Sequence, residues 1–239
     1  VTGRHDLADL IAVGAIRGAE GREGDGAGFG EDGRHRAEPG ASDHGVGGVQ
    51  RDVGPARERH AGLSRREGCR AIAQAAIERG AIVALIDRVE PALADHGASL
   101  LVSGIDLAEL PSAQDAFAQI AGKLGPIHAL LNVAGAFEWQ KIMDGGIAAW
   151  TDQYRANVLT AVGASIAALA HMPDGGAIVN VAAAATSRSA LGMGAYTAAK
   201  SGVLRLTEAL AEELKPRGIR VNSVSPTVLD TPRNRIDMP

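Results

Sequence analysis

Between about Arg70 and Ser225, short apolar runs alternate with stretches of helical period, and this alternation restricts the fold more than any other feature. Ala81 to Asp87, Ser99 to Ser103, Ile127 to Val133, Ala177 to Ala182 and Ile219 to Val224 read as buried strands. Arg70 to Arg79, Ser112 to Leu124, Gly146 to Met172 and Tyr196 to Leu214 read as helices. Gly80 ends the first of them; Pro216 and Gly218 stop the last. Strands that are apolar throughout need cover on both faces, and right-handed strand–helix–strand crossovers provide it. The pattern therefore predicts an α/β fold with a doubly wound, Rossmann-like parallel sheet.

Residues 1–68 do not share the pattern. They hold about half of the 31 glycines, many arginines and one aromatic, Phe29, and the first lysine of the chain is Lys123. Such a segment buries too little apolar surface to offset the entropy of ordering it. Leu7 to Ile16 is its only apolar run, long enough for one short strand or helix. The expected organisation is an irregular leader over 1–68, disordered or non-native, followed by one domain over 69–239.

A formal net charge of -4 argues against a nucleic-acid or anionic-membrane surface. The longest mostly apolar stretch, Val158 to Met172, is too short to span a bilayer. Arg4, His5 and Asp6 interrupt any signal-peptide pattern at the start, and the single cysteine, Cys69, fits a reducing compartment. The expectation is a cytoplasmic protein with a small-molecule substrate, without nucleic acid, membrane or metal.

The strongest chemical signal is Tyr196-Thr197-Ala198-Ala199-Lys200. Four residues apart on a helix, the two side chains share a face. An ammonium beside a phenol favours the phenolate and makes tyrosine a usable acid or base near neutral pH. Around it stand Asn132-Val133-Ala134-Gly135, Ala156-Asn157-Val158, Gly176 to Val181 and Arg220 to Pro226. In this order and spacing they resemble the short-chain dehydrogenase/reductase family over nearly all of residues 70–239. The resemblance implies an NAD(P)-dependent oxidoreductase. Tyr196 would be the general acid/base, Lys200 would bind the nicotinamide ribose and tune Tyr196, and Asn157 would hold a relay water. Asn132, Ala134, Gly135, Pro226 and Thr231 would line the cofactor. Asp87, at the end of a strand, would accept from the adenosine ribose and repel a 2′-phosphate, favouring NAD over NADP, and Asp106 would lie near the adenine. The long helices Gly146 to Met172 and Tyr196 to Leu214 would pair subunits into a homodimer or homotetramer.

Three departures qualify this. The family's serine thirteen residues before the tyrosine is Ala183 here, with Thr186, Ser187 and Ser189 nearby. The first strand and its glycine-rich phosphate loop are not recognisable, Arg66 to Arg70 standing where the loop should open the first helix. The family continues beyond the position of Pro239. The sheet is thus expected to be incomplete at its first and last strands. Within the family, dihydropteridine reductases also carry alanine at the serine position, and the segment Leu229-Asp230-Thr231-Pro232 with Asn234, Arg235, Met238 and Pro239 is similar to theirs. Three functions stay open: reduction of a quinonoid dihydropterin or related conjugated acceptor, general alcohol/ketone (3-oxoacyl-type) reduction, or a catalytically silent Rossmann module.

Overall fold

The computed structural model describes residues 10–15, 63–88 and 97–227. Two compact units divide the chain, Val1–Gly18 with Glu58–Pro239, and Ala19–Arg57; every described residue belongs to the first. In chain order the elements are β1 (Leu10–Ala15), α1 (Leu63–Ile77), β2 (Val83–Asp87), β3 (Leu100–Val102), α2 (Leu110–Leu124) and β4 (Ile127–Asn132). They continue with α3 (Ile142–Tyr154), a π-helical segment (Arg155–Leu159), α4 (Thr160–Leu169), β5 (Ala177–Val181), a 3-10 turn (Ala184–Ser187), α5 (Gly194–Glu213) and β6 (Arg220–Val224).

All neighbouring strands are parallel, in the order β3-β2-β1-β4-β5-β6. This is the doubly wound arrangement, with its switch of direction between β1 and β4. Side chains of β2 alternate as a pleated strand requires. Val83 and Leu85 join Cys69 and Ala73 of α1 on one face, whereas Ala84 and Ile86 join Phe117 and Ile120 of α2 on the other. On that second face Ala164, Ala167 and Ala168 of α4 pack against Leu130 and Ile178.

Three expectations are corrected. The sheet does not lack its first strand: Leu10–Ala15, within the one apolar run of the leader expected over 1–68, is the central strand. Gly14 pairs with Ile86 on one side and Asn132 on the other. Without it, β2 and β4 would each present unpaired N–H and C=O groups in the middle of the domain. The first helix opens at Leu63, so Glu67 and Cys69 lie inside it rather than at its mouth. The single helix expected from Gly146 to Met172 begins at Ile142, leaves helical geometry at Gly146 (φ 55°, ψ -158°), and loosens into the π segment before α4. Among the described residues no helix is long and apolar enough to cross a membrane.

Candidate active site

In a parallel sheet of this order, ligands bind outside the carboxyl ends of the strands at the switch point. The predicted site residues follow that edge. Asp87 closes β2, Asp106 follows β3, Asn132 to Gly135 close β4, Ala183 follows β5, and Pro226 follows β6. Thr231 lies outside the described residues, as do Leu229 to Pro239 of the dihydropteridine-reductase-like segment.

Tyr196 and Lys200 sit one turn apart near the start of α5. The Tyr196 ring meets Phe137 edge-on, with centroids 4.8 Å apart and planes at 87°. Lys200 is buried, and its Nζ donates to the carbonyl of Val181 at 2.7 Å, which ties α5 to the end of β5. Asn157 sits fully buried in the π segment, a distortion that often marks functional positions. Its amide clasps the backbone of Ala136: Oδ1 accepts from Ala136 N at 3.2 Å and Nδ2 donates to Ala136 O at 2.9 Å. Nδ2 also meets Gln153 O at 2.9 Å and Gln153 Oε1 at 3.3 Å. Gly135 is where these parts converge. A Cβ there would stand 2.5 Å from Asn157 Oδ1 and 3.3 Å from Lys200 Nζ, so only glycine lets the chain pass.

Asn132 turns its amide inward. Nδ2 donates to Asn180 Oδ1 at 2.8 Å and to Ser165 Oγ at 3.2 Å, and Asn180 in turn donates to Thr207 at 2.8 Å. The chain thus links β4, β5, α4 and α5 through buried polar groups that satisfy one another. Ala134 is buried in the main core. The Pro226 carbonyl accepts from Ala184 N at 2.9 Å, fixing the loop after β5 against the loop after β6.

Ala183 is extended (φ -157°, ψ 143°) and carries no donor. Two of the three nearby hydroxyls are donors to backbone carbonyls instead. Thr186 Oγ1 donates to the Ala183 carbonyl at 2.8 Å, and Ser187 Oγ to the Ala184 carbonyl at 2.9 Å. Thr197 Oγ1 lies 2.8 Å from Met193 O and 2.9 Å from Ser189 Oγ. Thr197 Oγ1 is the donor to Ser189 Oγ, which accepts.

On the far side of the switch point, Asp87 is buried at the end of β2, and its carbonyl accepts from Ile105 N at 3.2 Å. Burial, with the Asp87 charge adding to it, pushes the Cys69 thiol up to about 12. Arg155, Phe137 and Gln153 are partners that the sequence did not single out. Arg155 lies two residues before Asn157 and binds Asp106 and Glu109. The available signal was that Arg155 is the one arginine in the helix expected from Gly146 to Met172.

The donor set suits a nicotinamide dinucleotide. It offers a carboxylate to accept from one ribose diol at β2 and an ammonium to donate to the other from α5, on opposite sides of the switch. The fold and this arrangement define a Rossmann-type, dinucleotide-dependent oxidoreductase. The family model described as short chain dehydrogenase matches residues 68–237. An "Inactive 2-(S)-hydroxypropyl-CoM dehydrogenase 2" of Xanthobacter autotrophicus is 37% identical over 171 residues, covering 69% of this chain and 74% of that protein. A 3-oxoacyl-[acyl-carrier-protein] reductase of Mus musculus is 29% identical over 171 residues, covering 70% of this chain and 72% of its own. The solved short-chain dehydrogenase/reductase from Serratia marcescens superposes with a TM-score of 0.69 at 22% identity, covering 96% of this chain and 78% of that one, a likeness of fold. The chain belongs to the short-chain dehydrogenase family, which implies an NAD(P)-dependent oxidoreductase with a small-molecule substrate.

Proposed function

We propose that the protein reduces a conjugated carbonyl or imine-type acceptor, of the quinonoid dihydropterin class, with NADH. The observation that carries this reading is Ala183 together with the neighbouring Thr186 and Ser187 hydroxyls, both already donating to backbone carbonyls. An unactivated ketone gains much from a donor that stabilises its developing oxyanion. An electron-poor conjugated acceptor spreads that charge and needs the donor less.

When bound, the reduced nicotinamide supplies the hydride. Tyr196 gives its phenolic proton to the acceptor heteroatom, and Lys200, anchored on Val181, sits one turn away to favour the resulting phenolate. Phe137 packs against the Tyr196 ring and restricts its rotation. Both amide hydrogens of Asn157 point at Ala136 and Gln153, so a relay water meets this residue at its oxygen atoms. Asn132 supports the site through the buried network behind β4 and β5. Asp87 accepts from the adenosine ribose and disfavours a 2′-phosphate, which selects NADH over NADPH.

A second reading, reduction of simple ketones or oxidation of secondary alcohols, is favoured by the relatives, whose names are of hydroxypropyl, 3-oxoacyl and butanediol enzymes. Steady-state rates with a quinonoid pterin and with a simple ketone decide between them, in the native protein and in Ala183→Ser. The first reading expects pterin turnover that the new hydroxyl changes little, and ketone turnover that rises by up to ~10²-fold. Good ketone reduction with Ala183 in place and none of the pterin would leave the second. Absence of turnover with either, in a protein that binds NADH, would point to a silent module.

Assembly is proposed through the long helices. Ile147, Trp150 and Tyr154 form an exposed apolar stripe on α3, and Leu159 and Ile166 are exposed beyond it. Val158 and Val203, on the same helices, pack with Ala199 inside the subunit. Light scattering that shows only monomer at micromolar concentration would refute the pairing.

A further inference from the structure

Arg155 holds the carboxylate of Asp106, in the loop that follows β3. Its Nη2 donates to Asp106 Oδ2 at 2.9 Å and to Glu109 Oε1 at 2.7 Å. Asp106 Oδ1 accepts from Ala108 N at 3.0 Å, so the carboxylate is gripped at both oxygens and its plane is fixed. Stability is a poor explanation for this arrangement. The Arg155 and Glu109 side chains are 39% and 60% exposed, and ion pairs that solvent reaches contribute little. Orientation is what two grips on one carboxylate provide.

The topology says what the carboxylate faces. Neighbouring strands are about 4.8 Å apart. A dinucleotide with its pyrophosphate at the β1/β4 switch and a ribose at Asp87 carries its base one strand further, to the loop after β3. That loop is tied to β2 by the bond from Ile105 N to Asp87 O. Asp106 presents acceptors alone there, complementary to the exocyclic amine of a 6-aminopurine and repelled by the oxygen of a 6-oxopurine.

The family resemblance already places Asp106 near the adenine; we propose that Arg155 is the positioning residue that orients this carboxylate toward the amino edge of the base. It thereby places base recognition and Asn157 on one five-residue segment, Arg155–Leu159. The proposal rests on the dinucleotide reading above. NADH and deamino-NADH, which carries hypoxanthine, differ at this edge alone, so the ratio of their affinities isolates it. Fluorescence titration of the native protein should give a preference for NADH of about tenfold or more, the scale of a hydrogen bond to a charged group. Arg155→Gln should bring the ratio close to one by weakening NADH while leaving deamino-NADH nearly unchanged. Arg155→Lys, which keeps the charge without the planar fork, should fall between and carries the test if the glutamine variant does not fold. A general loss of structure would weaken both nucleotides equally and leave the ratio intact. A ratio that Arg155→Gln or Arg155→Lys leaves at the native value overturns the positioning role. A native protein that binds both equally overturns base reading by Asp106, and one that binds neither overturns the dinucleotide reading itself.

Discussion

Replacing Gly135 by alanine tests whether the junction of Asn157, Lys200 and the β4 loop is as tight as its geometry indicates. The added Cβ would stand 2.5 Å from Asn157 Oδ1. Ordinary carbon–oxygen contact needs close to another ångström. Asn157 cannot swing aside freely, because its amide is held by bonds of 3.2 and 2.9 Å to Ala136 and 2.9 Å to Gln153. Either the clasp opens, at ~0.5–1.5 kcal/mol for each bond lost, or the backbone shifts, at ~1–3 kcal/mol for overpacking. The two routes compete, so the cheaper one sets the cost at about 1–3 kcal/mol. For a domain of this size that lowers the melting temperature by roughly 2–12 °C. The same displacement moves Asn157 and crowds Lys200 Nζ, and a misplacement near 1 Å costs ~10² in rate. Gly122→Ala is the control. It lies in α2, where an added methyl would have nothing within 4 Å, and should raise stability by about 0.4–1 kcal/mol. Thermal melts and turnover of both variants measure the pair. A Gly135→Ala protein that melts within a degree of the native one and turns over within twofold of it would refute the reasoning.

Cys69 should resist alkylation at pH 8 in the native state and react once unfolded, because its folded pKa is raised from 9.0 to about 12. The folded state then holds the thiol proton more tightly between those values, so stability falls as pH rises from 9 toward 12. A Cys69→Ala protein should lose that part of the slope, and equal slopes in urea melts would count against it. Arg217→Met removes donors to Leu169 O at 3.2 Å, to Met172 O and to Asp174 Oδ1 at 3.1 Å beyond the end of α4. It should cost about 1–3 kcal/mol in urea unfolding, and an unchanged midpoint would argue that water replaces the guanidinium at no cost. Gly192→Ala forces a methyl to within 2.2 Å of the Trp139 indole at a residue with φ +73°. In a Trp150→Phe background the Trp139 emission should shift to the red, whereas an identical spectrum would mean that the loop absorbs the methyl elsewhere.

Strands β2 to β6 were legible because a buried parallel strand is apolar from end to end, and the Tyr196–Lys200 spacing was legible because it is local. The central strand was not. Leu10–Ala15 is a short apolar run without the glycine loop that usually identifies it, and its partners Ile86 and Asn132 lie far away in sequence. Nothing local in such a run says that it belongs between two other strands. Asn157 could be placed on a helix, but its clasp on Ala136 reaches across 21 residues to a backbone whose identity leaves no mark in the sequence. Arg155 was not singled out, since only the folded chain brings Asp106 within 2.9 Å of it. Asn132 was assigned by resemblance to the cofactor side, and a network that ends at Thr207 on another helix could not be inferred from its neighbours.

The π segment between α3 and α4 has a bearing on which changes the gene could tolerate. Thr160 N bonds back to Arg155 O, five residues earlier, so one residue more than an α-turn is accommodated there. Removing any single residue from 155–159 would let the ladder return to four-residue spacing, with both flanking helices intact and composition almost unchanged. Closing the wide turn would shift Asn157 and Arg155 relative to the neighbouring turns, and the two could no longer both meet their partners. Loss of one codon in this stretch would therefore be far more damaging than most substitutions on its exposed side: here the site depends on a count of residues as much as on which residues they are.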